Sequence, residues 1–238
     1  DGPANFAESF FAGYKPEEDK PFFLYLSFMN PHDICYGAGF DPRFPDKLRP
    51  HQIAATQKYI DFHKTLSEEE YRNQIPPVPV NMEPNGAYAE MKEIGSGSRN
   101  WTEEQWNFYR WMYCRLVEDV EKQIGRILTA LADAGLADNT IVVFTSDHGE
   151  MGQSHGLVFK SQLLEEATRT PLIIAGPGIQ KGIVDSENLT CGIDLVPTMC
   201  DLVGIPIPKG LLGKSLKPIL TGQSVKMSRN HIIVESSS

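Results

Sequence analysis

The sequence lacks two features that would place the protein in a special class. No apolar run approaches the roughly 20 residues that a membrane-spanning helix needs. Basic residues are not in excess, because 22 Lys and Arg stand against 31 Asp and Glu and leave a formal net charge of −9. This balance argues against a general nucleic-acid or anionic-membrane binder, although a few clustered cations can still bind a small anion.

Cysteine is also scarce, and its arrangement offers no metal or redox motif. The four cysteines, Cys35, Cys114, Cys191 and Cys200, form no CxxC pair. Two of them, Cys114 and Cys200, fall on apolar faces of predicted helices. Free thiols are therefore favoured over disulfides or a metal site, and the cysteines do not identify a cellular compartment.

What is present is the composition of an ordinary globular protein. The 238 residues, 41% hydrophobic and 22% charged, suffice for one large α/β domain or a domain with a small appendage. Near-continuous apolar runs are typical of strands covered on both faces, and a strand–helix–strand order predicts a right-handed crossover between parallel strands. The predicted strands are 21–29, 140–146, 171–175 and 231–235. The expected fold is α/β, with a mostly parallel sheet sandwiched between helices.

The longest predicted helix covers 101–135. Thr102 and Gln105 form a capping box at its start, and apolar residues recur at every third or fourth position. Its aromatic residues fit core packing better than a cofactor site. Shorter helices are predicted at 3–13, 162–168, 194–202 (capped by Asp194) and 215–220.

Residues 36–100 are rich in Pro, Gly and charge and show no clear periodicity. They are predicted to be a loop-rich insertion. A long connection of this kind is usually functional or irregular. The insertion either shapes substrate entry or is merely variable, and both possibilities stay open.

Polar side chains directly follow the first two predicted strands. His32 follows the first strand, Asp147 and His148 follow the second, and a glycine-bearing loop with His155 and Lys160 comes next. The carboxyl ends of parallel strands meet at one edge of an α/β sheet, where ligands bind. These residues are therefore candidates for an anion-binding or metal-binding pocket.

Three stretches taken together resemble the sulfatase family of the alkaline-phosphatase-like superfamily. They are PFFLYLSFMNPHD, IVVFTSDHGEMGQSHGLVFK and EEATRTPLIIAGPG. The DHG element alone is a weak signal, but DHG followed at the right spacing by HG, a lysine and EEATRTPLII is specific. The resemblance covers 21–35 and 101–220, and it is weak across the insertion. It implies the later part of a type I sulfatase catalytic domain, near the glycosaminoglycan or iduronate type.

The resemblance implies a role for each candidate residue. Asp147 and His148 match the pair that helps to hold a divalent cation, with calcium as the expected ion. Lys160 matches the lysine that binds the sulfate group, and His32 matches the histidine that contacts the sulfate or the leaving oxygen. His155 lies where the family often places a histidine near the pocket, which implies substrate binding. Calcium prefers oxygen ligands, so His148 leaves the identity of the metal open.

One part of the family pattern is missing from the chain. The family's nucleophile is a formylglycine made from Cys or Ser in a C/S-x-P-S-R motif, and no such motif occurs here. We therefore expect 1–220 to be the later part of the catalytic domain and 221–238 to begin a truncated C-terminal subdomain. The resemblance implies that the intact protein hydrolyses a sulfate ester or sulfamate, on a carbohydrate. The isolated chain is predicted to be inactive.

Two other functions stay open at this stage. One is a phosphatase or phosphonate hydrolase of the same superfamily, which would carry more metal ligands. The other is a non-catalytic module that binds sulfated glycans. The candidate residues also have plain alternatives, since Asp147 and His148 can be a solvated turn, Lys160 a surface lysine and His32 a structural histidine. An exported or lysosomal location is expected from the resemblance alone.

Overall fold

The computed structural model describes residues 2–18, 20–41, 50–83, 97–223, 227 and 229–235. The chain divides into two compact units. The first comprises Asp1–Gly135 with Glu150–Ser161, and the second comprises Leu136–Gly149 with Gln162–Ser238. The domain boundary predicted after residue 220 refers to the domains of the sulfatase family and not to these two compact units. It stays a prediction.

The first unit is built around one long helix, α5 (Glu103–Asp133), in the predicted place. The Thr102 side chain accepts the Gln105 N–H, and the Gln105 side chain accepts the Thr102 N–H, so the predicted capping box forms. Every residue from 106 to 112 is buried, which places this part of α5 inside the unit. Its aromatic residues are core residues, as predicted. The core cluster contains Ile34, Phe40, Tyr59, Ile60, Tyr71, Trp106, Phe108, Tyr109, Trp111, Met112, Leu116 and Val158.

Polar contacts attach two further helices to α5. Arg126 of α5 forms an ion pair with Glu8 of α1 (Gly2–Gly13), with 2.7 Å between Nη2 and Oε2. Asp119 of α5 accepts hydrogen bonds from the Tyr59 hydroxyl (2.8 Å) and the Lys58 ammonium (2.6 Å) of α3 (Pro50–Thr65). These contacts fix the rotation of each helix about α5, which apolar packing alone specifies less tightly.

The predicted insertion at 36–100 is more helical than its composition indicates. Besides α3, it contains α4 (Glu68–Gln74), which begins with a capping box between Ser67 and Glu70, and it includes the second half of α2 (Ile34–Gly37). In the described ranges 36–41, 50–83 and 97–100 the segment is thus largely helical, and its assignment as a loop-rich insertion of the family domain stays a prediction. The apolar residues of α3 do not recur with a regular helical spacing. The helix is therefore stabilised by tertiary packing, which the sequence pattern does not reveal.

The first predicted strand is not assigned as a strand in the structure. Residues 21–30 alternate strictly between exposed and half-buried, a period of two that is typical of strand geometry. Within the described ranges, however, only two strands of the protein are hydrogen-bonded to each other, and 21–29 is not one of them. Residues 231–235 also carry no strand assignment. The predicted parallel sheet is thus not confirmed.

The second unit contains the two strands that do pair, β1 (Val142–Thr145) and β2 (Leu172–Ala175). They are antiparallel, with Val142 opposite Ala175 and Thr145 opposite Leu172. Both strands lie where the sequence predicts them, but the expected burial of both faces is absent, because Ile173 is 59% exposed. Both strands of a two-stranded sheet are edge strands, and the sheet is too small to be covered on both faces.

Three short helices complete the second unit: α6 (Glu165–Thr168), α7 (Leu195–Leu202) and α8 (Lys217–Leu220). The predicted cap of α7 is wrong, because the Asp194 side chain makes no capping hydrogen bond to that helix. Its buried carboxylate instead accepts the N–H groups of Cys191 and Lys214 and a paired contact from Arg229. All four cysteines are free thiols. None of the helices in the described ranges combines the length and apolar character needed to cross a membrane.

Candidate functional site

His32 lies in a turn that is packed closely against α5. The His32 N–H bonds to the Met29 carbonyl, and the His32 carbonyl accepts the Cys35 N–H, both at 3.0 Å. The chain then passes so near to α5 that a Cβ at Gly37 would lie 2.6 Å from Met112 Sδ. A side chain at this position would have to displace the Met112 side chain, so the chain after His32 and α5 are in close contact. The turn therefore holds the backbone of His32 in the first unit, with its side chain exposed.

Lys160 contacts His32, another of the candidate residues, in the first unit. Lys160 Nζ lies 3.0 Å from His32 Nδ1. An ammonium group can only donate hydrogen bonds, so Nδ1 is the acceptor and the ring proton lies on Nε2. The pair thus presents one positive charge and one N–H donor, two groups that suit an oxyanion.

The loop between the DHG element and Lys160 is held by a carboxylate that sequence analysis missed. Glu150 Oε1 accepts three hydrogen bonds, from the Phe159 N–H (2.7 Å), the Tyr109 hydroxyl (2.9 Å) and the Gly152 N–H (3.3 Å). Burial and the nearby Glu150 charge raise the pKa of Tyr109 well above its usual range, so its hydroxyl remains a donor. The only sequence signal for Glu150 is its place directly after DHG.

His155 lies in the same loop but is buried, with 8% of its surface exposed. Its backbone N–H bonds to the Asn81 carbonyl at 2.8 Å, and its Nε2 lies 3.3 Å from the Asn81 amide nitrogen. Its φ of 55° is in the left-handed region, which is uncommon for a residue other than glycine. This geometry favours holding the loop over direct contact with a substrate, and the predicted substrate-binding role stays a prediction.

Cys35 is the thiol that the structure places within electrostatic reach of Lys160. Burial raises the pKa of Cys35, and this effect outweighs the opposing influence of the Lys160 charge, while the Glu150 charge adds to the increase. The nucleophilic form of cysteine is the thiolate. Cys35 therefore stays protonated near neutral pH and is a poor candidate for a nucleophile.

Asp147 and His148 lie in the second unit, directly after β1. The His148 N–H bonds to Asp147 Oδ1 at 3.0 Å, and Asp147 Oδ2 lies 3.5 Å from His148 Nε2. His148 Nδ1 lies 2.8 Å from the Gly149 carbonyl, which can only accept a hydrogen bond. In the neutral ring, Nδ1 therefore carries the proton and Nε2 offers its lone pair beside a carboxylate that is 85% exposed.

This pair fits part of a divalent-cation site. A histidine that binds a metal usually donates its other ring N–H to a carbonyl or carboxylate, as His148 does to Gly149. Calcium, however, takes about six to eight oxygen ligands. Among the described residues, no group of three or more His, Cys, Asp or Glu is placed to hold a metal. Asp147 and His148 would thus supply two ligands of a larger set.

The structure places the predicted residues in two groups. His32 and Lys160 are in contact in the first unit, which also contains His155. Asp147 and His148 are in contact in the second unit. The further residues that support the first group, Tyr109 and Asn81, could not be identified from the sequence, because they lie 41 and 74 positions from their partners.

Comparison with solved structures defines the class of protein. A 2-O GAG sulfatase shares 29% sequence identity, with a TM-score of 0.74 over 97% of this chain and 47% of that chain. A phosphonate monoester hydrolase from Silicibacter pomeroyi shares 27% identity, with a TM-score of 0.62 over 96% of this chain and 43% of that chain. The α/β chain thus has the fold of the alkaline-phosphatase-like hydrolases.

Within that class, the sulfatase family model matches residues 4–205, and the chain belongs to the sulfatase family. Arylsulfatase K from Danio rerio is 31% identical over 217 residues, which are 89% of this chain and 38% of that protein. Delta 4,5-hexuronate-2-O-sulfatase from Bacteroides thetaiotaomicron is 32% identical over 219 residues, 91% of this chain and 43% of that protein. The chain spans less than half the length of these relatives.

Proposed function

We propose that this chain contributes the leaving-group side of a sulfatase active site, in a protein that hydrolyses sulfate esters or sulfamates. The contact between Lys160 Nζ and His32 Nδ1 carries the proposal. It joins a cation and a ring N–H donor, which are the groups needed at an oxyanion whose ester bond is breaking. Membership of the sulfatase family supports the same chemistry.

In this mechanism, the two residues act on the sulfate and on the oxygen that leaves. Lys160 binds a sulfate oxygen and stabilises the negative charge of the transition state. The S–O bond to the alcohol breaks, its electron pair goes to the leaving oxygen, and the His32 Nε2–H supplies the proton. Lys160 can then transfer a proton to His32 Nδ1. This transfer leaves Lys160 as a neutral amine and His32 as a neutral imidazole that carries its proton on Nδ1.

Two groups outside the described chain belong to this proposal. A formylglycine, encoded upstream of Asp1, would supply the nucleophile that accepts the sulfate group. A divalent cation, with calcium as the expected ion, would supply positive charge when bound, and Asp147 and His148 would be among its ligands. The short span of the chain relative to its relatives supports the idea that further sequence completes the site.

A sulfated carbohydrate is the proposed substrate class. The name Delta 4,5-hexuronate-2-O-sulfatase and the description 2-O GAG sulfatase both refer to sulfate on a sugar. A comparison of simple sugar 2-O-sulfates and 6-O-sulfates as substrates would test this class. Activity on an aryl sulfate together with inactivity on every sugar sulfate would contradict it.

The direct test of the proposed function joins the chain to the reading frame that precedes Asp1. We expect the joined protein to hydrolyse 4-nitrophenyl sulfate and the 238-residue chain alone to be inactive. Lys160→Ala and His32→Ala in the joined protein should each lower kcat/KM by about 100-fold or more, as expected for lost charge stabilisation or lost acid catalysis. Lys15→Ala, which removes a largely exposed lysine of the same unit, is the matched control.

Two outcomes would contradict the proposal. The first is turnover of the aryl sulfate by the 238-residue chain alone, since this chain has no C/S-x-P-S-R motif. The second is full activity of the Lys160→Ala variant. Absence of the motif from the upstream sequence as well would favour the alternative of a non-catalytic module that binds sulfated glycans.

The similarity to a phosphonate monoester hydrolase supports a second candidate function. Phosphonate esters are also anionic, and the Lys160–His32 pair suits them as well. A ratio of kcat/KM for 4-nitrophenyl phenylphosphonate to that for 4-nitrophenyl sulfate distinguishes the two. A ratio well above one, with two bound metal ions for each chain, would replace the sulfatase proposal.

A further inference from the structure

The segment that carries Lys160 contains an unusual backbone conformation. Phe159, the residue before Lys160, has a φ of 69°, in the left-handed region that bulky residues rarely adopt. A residue held in such a conformation needs surrounding contacts that maintain it. The backbone conformation of Phe159 sets the direction of the chain at Lys160.

Both peptide groups that flank Phe159 are held by hydrogen bonds. The Phe159 N–H donates to Glu150 Oε1 at 2.7 Å, and the Phe159 carbonyl accepts the Met151 N–H at 2.8 Å. That carbonyl belongs to the peptide bond that links Phe159 to Lys160. The peptide bond that precedes Lys160 is therefore held in one orientation, and it sets the position of the Lys160 Cα.

Glu150 is itself held by the core of the first unit. Tyr109, only 1% exposed on the buried part of α5, donates its hydroxyl to the same Oε1 atom at 2.9 Å. The Gly152 N–H adds a longer contact at 3.3 Å. A single carboxylate oxygen thus connects the core helix to the residue that precedes Lys160.

We infer that Glu150, held by Tyr109, is a positioning residue that directs Lys160 onto His32. The sequence of contacts runs from Tyr109 to Glu150, through the Phe159 peptide groups, to the 3.0 Å contact between Lys160 Nζ and His32 Nδ1. The inference rests on the proposed function, because it names the residue that prepares the anion-binding pair. Glu150 acts through Lys160 and touches no substrate.

The test measures the ¹⁵N chemical shift of His32 Nδ1 in the folded 238-residue chain. A hydrogen bond from Lys160 moves this shift, and Lys160→Ala defines its value without the bond. We expect Glu150→Ala to remove most of the difference between wild type and Lys160→Ala. Glu150→Gln keeps a side-chain oxygen that can accept the Phe159 N–H, so it should retain most of that difference.

Tyr109→Phe provides a milder variant in case Glu150→Ala does not fold. It removes one hydroxyl from the core and leaves the carboxylate in place, and it should move the His32 shift part of the way toward the Lys160→Ala value. Tyr59→Phe is the matched control, because Tyr59 is also a buried tyrosine of the first unit that donates to a carboxylate, that of Asp119. It should leave the His32 shift unchanged.

Sulfate affinity, measured by calorimetry on the same variants, separates this inference from the proposed function. Removing a residue that orients a binding group typically weakens binding by about 10- to 100-fold, and we expect about 10-fold for Glu150→Ala. If Lys160→Ala leaves sulfate affinity unchanged, the proposed anion-binding pair is wrong. If Lys160→Ala weakens sulfate binding while folded Glu150→Ala or Tyr109→Phe keeps the wild-type His32 shift and affinity, the positioning role is overturned.

Discussion

At the scale of single residues, two candidate histidines, one in each unit, are held in opposite tautomers by their neighbours. His32 Nδ1 accepts from Lys160, which leaves its proton on Nε2, where a leaving oxygen would need it. His148 Nδ1 donates to the Gly149 carbonyl, which leaves its Nε2 lone pair for a cation. In the proposed function, the same residue type would thus act as a proton donor in one place and as a ligand in the other.

The metal assignment predicts a specific effect of one substitution. Asp147→Asn keeps the size of the side chain but removes the negative charge that a hard cation prefers. We expect calcium affinity to fall by about 10-fold or more in calorimetry on the protein that includes the upstream sequence. Glu165→Gln, an exposed carboxylate on α6, is the control and should bind calcium as wild type does. An unchanged affinity for Asp147→Asn would remove this residue from the metal site.

His63 of the first unit is predicted to make stability depend on pH. Its ring contacts those of Tyr71, Phe108 and Trp111, with centroids 4.4 to 5.7 Å away, and its buried Nε2 has no hydrogen-bond partner among the described residues. Burial lowers the pKa of His63, although the charges of Glu104 and Glu68 oppose this. The folded protein therefore binds a proton at His63 less readily than the unfolded chain, in which a histidine is protonated below about pH 6.5.

It follows that the free energy of unfolding falls as the pH drops through the pKa of the unfolded histidine. His63→Phe keeps an aromatic ring and should reduce this decrease, as measured by urea unfolding at about pH 7.5 and about pH 5.5, on either side of that pKa. His231→Gln, which changes an exposed histidine, should leave the decrease unchanged. The prediction is wrong if wild type and His63→Phe lose equal stability between the two pH values.

At the scale of elements, the two units are stabilised in different ways. The first unit surrounds the aromatic part of α5 with apolar side chains from α3, α4 and the turn after His32. The second unit instead holds its segments together through a buried carboxylate. Asp194, fully buried, receives the guanidinium of Arg229 and the N–H groups of Cys191 and Lys214, which joins three stretches of chain at one point.

Removal of that carboxylate is predicted to be costly. Asp194→Ala leaves the Arg229 guanidinium, 12% exposed, without its partner, and loss of one member of a buried ion pair costs about 3 kcal/mol or more. Burial alone would raise the pKa of Asp194, but the hydrogen bonds from Arg229 and the two N–H groups outweigh it and lower the pKa. Its stabilisation is therefore present above the pKa of an unfolded aspartate and is lost as the pH falls through the folded value.

Urea unfolding at neutral pH checks this prediction. Glu165→Ala removes a carboxylate from an exposed ion pair with Arg169 in the same unit and should cost less than about 1 kcal/mol. Equal losses for Asp194→Ala and Glu165→Ala would contradict the role given to the buried pair.

At the scale of the whole molecule, the sequence predicted what depends on local pattern and missed what depends on distant contacts. The capping box of α5 and the strand positions at 142–145 and 172–175 follow from short motifs. Helix α3 was missed because its apolar spacing is irregular. The roles of Glu150 and Asp194 were missed because their partners lie far away along the chain.

In the proposed function, Lys160 and His32 form one half of a receptor for a sulfate-like anion. A crystal of the chain grown with selenate, a sulfate analogue with a strong anomalous signal, tests it most directly. We expect an anomalous peak within hydrogen-bonding distance of Lys160 Nζ and His32 Nε2, and loss of that peak in Lys160→Ala. Selenate bound elsewhere with none at this pair, or the same peak retained in Lys160→Ala, would contradict it.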